Sequence, residues 1–256
     1  MEIRFDGMTA IVTGAARGQG YVCAEMLVES GAKVAMVDIL GDVLTESAKV
    51  LSAKGVVKAY TMDITKISEV GATVSKVRQD LGEIDILVQA AGLGPPAPAE
   101  SITEADWDKV NNINSKGLFF MMQAVTSQSM IPMNRGSIVN FASIAGIKGM
   151  RPPLCSAHYS ASKGAVVQLT RQGAMEWASH NVRVNAVAPG GVKTEMTMAM
   201  VGSPEKMAQV TALVPLKRLS EPHEIASCVL FLASNAASMI TGQILSIDGG
   251  TSAMGF

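Results

Sequence analysis

Tyr159-Ser160-Ala161-Ser162-Lys163 sets a phenol and an ammonium four residues apart. On a helix that spacing puts both side chains on one face, with Cβ atoms roughly 5–6 Å apart. A free tyrosine has a pKa near 10 and is a poor base at neutral pH. A neighbouring ammonium favours phenolate and brings the group toward the range useful for acid–base work. Ser143 follows the run Val139-Asn140-Phe141-Ala142, and its hydroxyl could bind a carbonyl or alkoxide. The chemistry such a trio suits is proton transfer at a C–O group. Tyr-x-x-x-Lys alone is weak, because a solvated helix face carries the same pattern.

A second motif makes the first specific. Thr13-Gly14-Ala15-Ala16-Arg17-Gly18-Gln19-Gly20 follows the run Ala10-Ile11-Val12 and opens a segment of helical period. Glycines there let the backbone turn sharply and approach a pyrophosphate, and a helix N-terminus offers that anion free N–H groups. An ordinary glycine-rich turn is the plainer explanation, which the position at a first strand-to-helix junction disfavours. Asp38 ends the next apolar run, about 20 residues on, where an acid can accept from both hydroxyls of an adenosine ribose. The same carboxylate would repel a 2′-phosphate, so it favours NAD over NADP; the plainer role is capping the next helix. Arg17 pulls the other way, since an arginine in this turn can reach a 2′-phosphate.

These residues need strands to carry them and helices to space them. Ala10–Val12, Lys33–Asp38, Val56–Thr61, Ile84–Val88, Ser137–Phe141, Val182–Val187 and Ile244–Ile247 read as strands. Helices are expected over Gly18–Ser30 and Asp42–Ala53 and across most remaining gaps. Alternation of this kind means βαβ units and a doubly wound, mostly parallel seven-stranded sheet with helices on both faces. The short Pro- and Gly-rich stretches Gly92–Pro98 and Gly149–Pro153 read as loops, which leaves residues 1–256 as a single α/β domain. A 48% hydrophobic and 17% charged composition excludes a disordered chain. Net charge is −1 and no basic block occurs, so neither nucleic acid nor a membrane surface is an expected partner. No apolar run reaches the roughly 18 residues of a membrane span. The opening Met1–Asp6 lacks the apolar stretch of a signal peptide, and a cytoplasmic setting is the default. Cys23, Cys155 and Cys228 suggest neither disulfides nor a zinc pattern, and scattered His158, His180 and His223 form no metal motif; His180 and His223 read as surface residues, while His158, just before Tyr159, could face a pocket.

Taken in order, these motifs resemble the short-chain dehydrogenase/reductase family, from about Met8 to Gly250. The resemblance implies a Rossmann fold, NAD as cofactor, no metal, and hydride exchange with a secondary alcohol or ketone. Tyr159 would be the general acid/base. Ser143 would orient the C–O group, and Lys163 would lower the tyrosine pKa and bind the nicotinamide ribose. Asn114, in Asn114-Ser115-Lys116-Gly117, matches a fourth catalytic residue that holds a water linking Lys163 to solvent. Gly14, Arg17, Gly18, Gln19, Gly20 and Asp38 match the cofactor turn and its acid, and Asp63-Ile64 the adenine contact. Ala90, Ala91 and Gly92 match the loop after the fourth strand, and Pro189, Gly190, Val192 and Thr194 the nicotinamide segment. Asp248-Gly249-Gly250 matches the C-terminal signature.

Two departures stand out. Gln89-Ala90-Ala91-Gly92 replaces the family's Asn-Asn-Ala-Gly, so hydrogen bonds steadying the central sheet should differ. The Ser143–Tyr159 spacing is longer than usual, with the extra residues in Lys148–Ser156, which should border the substrate. Residues 194–214, with Met196, Met198 and Met200, should form a flap over it. The run Arg151–Ser162, with Glu176-Trp177-Ala178 and Thr194–Thr197, is similar to bacterial sugar-alcohol dehydrogenases, favouring a polyol. A 3-oxoacyl or hydroxysteroid reductase shares the same motifs, and a catalytically silent NAD-binding regulator is the reading of a different class. The resemblance also implies a homotetramer, with the segment Leu118–Val125 pairing between subunits.

Overall fold

The computed structural model describes residues 3–150, 156–195, 197–198 and 202–253. Arg151–Cys155, which hold Pro152-Pro153 of the lengthened loop, and Met196 and Met200 lie outside the described residues. Short β-branched runs become the strands β1 Thr9–Thr13, β2 Lys33–Asp38, β3 Val57–Thr61, β4 Ile86–Gln89, β5 Gly136–Phe141, β6 Val182–Pro189 and β7 Ile244–Ile247. Every residue of β1 and β4 is buried, as a sheet covered on both faces requires. All pairings are parallel, in the order β3-β2-β1-β4-β5-β6-β7.

The helices used below are α1 Gly18–Glu29, α2 Gly41–Ser52, α3 Ile67–Leu81, α4 Glu104–Asn111, α5 Leu118–Val125, α6 Ala157–Trp177, α7 Pro204–Ala212 and α8 Pro222–Ala233. They sort onto two faces by the period of two along each strand. Ala10 and Val12 of β1 join Leu27, Leu44, Leu51 and Val229 in one core, under α1, α2 and α8. Ile11 joins Val74, Val77, Met121, Val125, Val166 and Val167 in the other, under α3, α5 and α6.

β4 starts two residues later than the apolar run does. Ile84 is buried, but its N–H is taken by the Ser129 hydroxyl at 2.6 Å rather than by a neighbouring strand. α4 and α5 are one rod interrupted by a π-helical turn over Asn112–Gly117, with another over Thr126–Met130. The chain order reverses between β1 and β4, so their C-terminal ends splay their connections apart and open a crevice, the usual ligand position in such sheets.

Candidate active site

Thr13 ends β1 beside Val37 and Gln89, and the glycine turn begins there. Gly14 holds φ +67°, and a Cβ on it would lie 2.6 Å from the Ala91 nitrogen. Glycine is therefore required twice over, for its dihedral and for its contact with the loop after β4. Gly20 lets α1 pack on the turn, since a Cβ there would collide with the Gly14 carbonyl. Gly18 has φ +63° and nothing within 4 Å of where a Cβ would stand, so the turn presents open space above its backbone. Arg17, exposed, precedes the first turn of α1.

Asp38 is aimed at this turn. Its Oδ2 accepts from Ala16 N–H at 3.0 Å and its Oδ1 from Leu40 N–H at 3.1 Å. Asp63 follows β3, and its Oδ1 accepts from the Thr65 hydroxyl and N–H, which hold the carboxyl below its ordinary value. Ile64 is buried beneath the π-turn at Gly117. A cradle with open space over Gly18, a buried Gln19 Oε1 without a partner among the described residues and a carboxylate held at the second strand fits a dinucleotide.

The catalytic candidates meet at the C-terminal end of β5. Ser143 follows it, buried, with its Oγ accepting from Ala145 N–H at 3.1 Å. α6 brings Tyr159 to Ser143, with a hydrogen bond between the two side chains. Lys163 is buried, donates to the Phe141 carbonyl at 2.6 Å, and lies 5.8 Å from the Tyr159 ring centroid. Burial draws the ammonium down to about 8. Burial pushes the Tyr159 phenol up, and the Ser143 bond partly offsets that. Lys163, the expected cause of a lowered phenol, does not figure among these influences; desolvation dominates and only Ser143 opposes it.

Asn114 is wholly buried in the π-turn, and both hydrogens of its amide are committed. Nδ2 donates to the Leu93 carbonyl at 2.8 Å and to Ser162 Oγ at 2.9 Å, while Oδ1 accepts from Leu93 N–H at 2.9 Å. A Cβ on Gly92 would stand 3.1 Å from Asn114 Oδ1 and 3.5 Å from Lys163 Nζ, so Asn114 and Lys163 flank one small gap.

Pro189 ends β6. Gly190 N–H donates to Ile247 O at 3.0 Å and Val192 bridges Ser220, so the segment expected to hold the nicotinamide leaves the C-terminal end of β6 beside β7. Thr194 starts the next turn, its hydroxyl meeting that of Thr197 at 3.1 Å. The Gln89 substitution is absorbed by a chain of side chains. Its Nε2 donates to Asn140 Oδ1, and Asn140 Nδ2 to Thr170 Oγ1 on α6, each at 3.0 Å. Sequence reasoning missed the Phe141 carbonyl, Leu93 and Ser162, because backbone acceptors and long-range amide pairs carry no local signature. A pocket role was open to His158 from its place before Tyr159, and the structure buries it completely beside the tyrosine.

Residues 14–252 match the family model described as enoyl-(acyl carrier protein) reductase. The galactitol 2-dehydrogenase of Rhizobium johnstonii is 39% identical over 251 residues, 97% of this chain and 96% of that protein. The 3-oxoacyl-[acyl-carrier-protein] reductase FabG of Thermotoga maritima is 41% identical over 253 residues, 97% and 99% of the two chains. A solved structure assigned as an NAD(P)-dependent gluconate 5-dehydrogenase, from Beutenbergia cavernae, carries NADP at low occupancy. It superposes with a TM-score of 0.92 at 34% identity, covering 99% of this chain and 100% of that one. The nucleotide turn, the serine–tyrosine–lysine cluster and these full-length likenesses make the chain a member of the short-chain dehydrogenase/reductase family, an oxidoreductase acting on alcohol groups with a nicotinamide cofactor.

Proposed function

We propose that the protein is an NAD-dependent dehydrogenase of a secondary alcohol, with a polyol or related sugar as substrate. The observation that carries the reading is the cluster at the end of β5, where Tyr159 bonds Ser143 while Lys163 stands buried behind the ring. A bound nicotinamide exchanges the hydride. Tyr159 takes the hydroxyl proton during oxidation and returns it during reduction, at its phenol oxygen. Ser143 Oγ steadies the C–O oxygen and, through its bond to the phenol, stabilises the phenolate. Lys163 places a positive charge near that phenolate and would also hold the nicotinamide ribose of a bound cofactor. The Asn114 amide has no proton to spare, so a water between Lys163 and solvent would be held by its Oδ1 or its main-chain carbonyl.

Asp38 supports NAD, because its carboxylate stands at the turn that would meet a 2′-phosphate. Gly14, Arg17, Gly18, Gln19, Gly20, Asp63, Ile64, Ala90, Ala91, Gly92, Tyr159, Lys163, Pro189, Gly190, Val192 and Thr194 complete the cofactor set. The galactitol 2-dehydrogenase relative supports the polyol, and the FabG relative supports a 3-oxoacyl substrate as the second reading. A cytoplasmic homotetramer completes the proposal; no helix among the described residues is long and apolar enough to cross a membrane. An NAD-linked screen of polyols, sugars, 3-hydroxyacyl thioesters and steroids tests the assignment. Turnover confined to thioesters would replace the polyol reading. Tyr159→Phe should lose at least roughly 10²–10⁴-fold in turnover with NADH binding little changed; near-normal turnover would remove Tyr159 from the mechanism.

A further inference from the structure

The segment that follows β4 is pinned on both sides of Gly94. On one side the Asn114 amide holds both the N–H and the carbonyl of Leu93. On the other, Ser156 Oγ donates to the Pro95 carbonyl at 2.9 Å, and Ala97 forms a parallel bridge with Ser156. Between these anchors Gly94 lies against the catalytic tyrosine. A Cβ on Gly94 would stand 2.7 Å from Tyr159 Cδ2 and 2.8 Å from Cε2. Glycine is needed there for closeness to the ring.

Ser156 is spent in an unusual way. It occupies the N-cap of α6, where a serine hydroxyl ordinarily accepts from a helix N–H, a bond worth about 1 kcal/mol. Here it makes no such cap bond and reaches across to Pro95 instead. A hydroxyl has one hydrogen, and that hydrogen goes to Pro95. The His158 Nδ1 that lies 3.1 Å from Ser156 Oγ must therefore be the donor. His158 is completely buried, and its Nε2 has no partner among the described residues. The imidazole is thus committed through one nitrogen to a one-directional chain, His158 to Ser156 to Pro95.

We propose that Ser156 and His158 are positioning residues, which clamp the Leu93–Ala97 segment onto the start of α6 and so hold Gly94 as a rigid wall against Tyr159. The inference rests on Tyr159 being the acid/base. Loss of the clamp lets the wall lift, and the phenol leaves its alignment with Ser143. Misplacements of about 1 Å cost up to about 10²-fold in rate without touching the reacting groups.

The test uses the full chain with whichever alcohol the screen selects. Ser156→Ala and His158→Leu should each lower kcat by about tenfold or more. NADH affinity, read by fluorescence titration, should stay within about twofold of the parent, since the Ser156 and His158 side chains bond only to each other and to Pro95 and to no residue of the nucleotide turn. His158→Asn, whose amide N–H can stand where Nδ1–H stood, should recover most of the turnover. The double variant should be no slower than the worse single one, because one chain is severed twice. Parental kcat in Ser156→Ala overturns the proposal, and so does His158→Asn failing as badly as His158→Leu. A parallel fall in NADH affinity and kcat overturns it as well. If His158→Leu does not fold, Ser156→Ala and His158→Asn decide alone. Tyr159→Phe is measured beside them. Normal turnover there defeats the catalytic reading itself, whereas an inactive Tyr159→Phe with a normal Ser156→Ala defeats only the clamp.

Discussion

Below about pH 8 the folded chain carries a buried ammonium at Lys163, because burial pulls that group down from 10.5 to about 8. Between those two values the unfolded chain binds a proton that the folded chain has lost, so stability rises with pH across that window. The gain is full above 10.5 and is lost as pH falls through about 8. Lys163→Met removes the charge while keeping the stem. It should abolish turnover yet raise stability at pH 7 by about 1–3 kcal/mol, less what the Phe141 hydrogen bond contributes. Denaturant melts at pH 7 and pH 10 check this, and the advantage should shrink at the higher pH. Tyr159 gives the matching kinetic signature. Its phenol is pushed up by burial, so alcohol oxidation, which needs phenolate, should climb into the alkaline range while ketone reduction does not. A flat oxidation profile from pH 7 to 10 would assign the proton to another group. Cofactor choice rests on a third residue. Unit charges 4 Å apart interact by about 4 kcal/mol at an effective dielectric near 20, and solvent and Arg17 reduce that. A preference for NAD of about tenfold is expected, narrowed by Asp38→Ser, with kcat/KM for both cofactors as the measurement. Asp38 and Tyr159 were legible because each sits within two positions of a strand or helix end, where local pattern is strongest, and Lys163 through its four-residue spacing from Tyr159. His158 and Ser156 were not, since their partner Pro95 is distant in sequence and contributes only a carbonyl.

At the scale of elements, β2 and β7 span the residues that their β-branched runs suggested, and β6 runs two residues further, to Pro189. Periodicity misplaced the start of β4, because it reports burial and not pairing, and Ile84 is buried without joining the ladder. The π-turn at Asn112–Gly117 left no trace in the sequence pattern. One extra residue in a turn shifts the helical register without changing composition, and such turns often mark functional sites. It turns Asn114 inward, where the side chain grips Leu93. The gap that Asn114 and Lys163 flank is closed on one side only by Gly92. A methyl there would stand 3.1 Å from Asn114 Oδ1, tight but tolerable for a side chain that can give slightly. Gly92→Ala should therefore fold normally and bind NADH, yet lose turnover severalfold by filling the space a proton-relaying water needs. Equal kcat in the two proteins would mean that protons leave by another route.

For the whole molecule, two hydrophobic cores account for the inner faces of the helices but not for several apolar side chains outside them. Met175 is 79% exposed on α6 and Met239 is 94% exposed in the loop before β7. The loop that carries Met239 reaches α6 one residue from Met175, since a Cβ on Gly242 would stand 3.5 Å from Ala174. Trp107 on α4 is also exposed, and Phe119 and Phe120 on α5 meet edge-to-face and are only partly buried. Single exposed apolar residues are ordinary, but surfaces on α4, α5 and α6 that are adjacent in the fold suit burial against a second copy. A net charge of only −1 sets up little repulsion between copies. Light scattering at micromolar concentration should then give four times the 26.7 kDa chain mass. Met175→Glu places a carboxylate in one of those surfaces, where desolvating it without a partner costs several kcal/mol. That variant should shift the mass toward dimer or monomer while circular dichroism stays unchanged. A parent that remains at the chain mass over the whole concentration range removes the tetramer and leaves these side chains as solvent-facing.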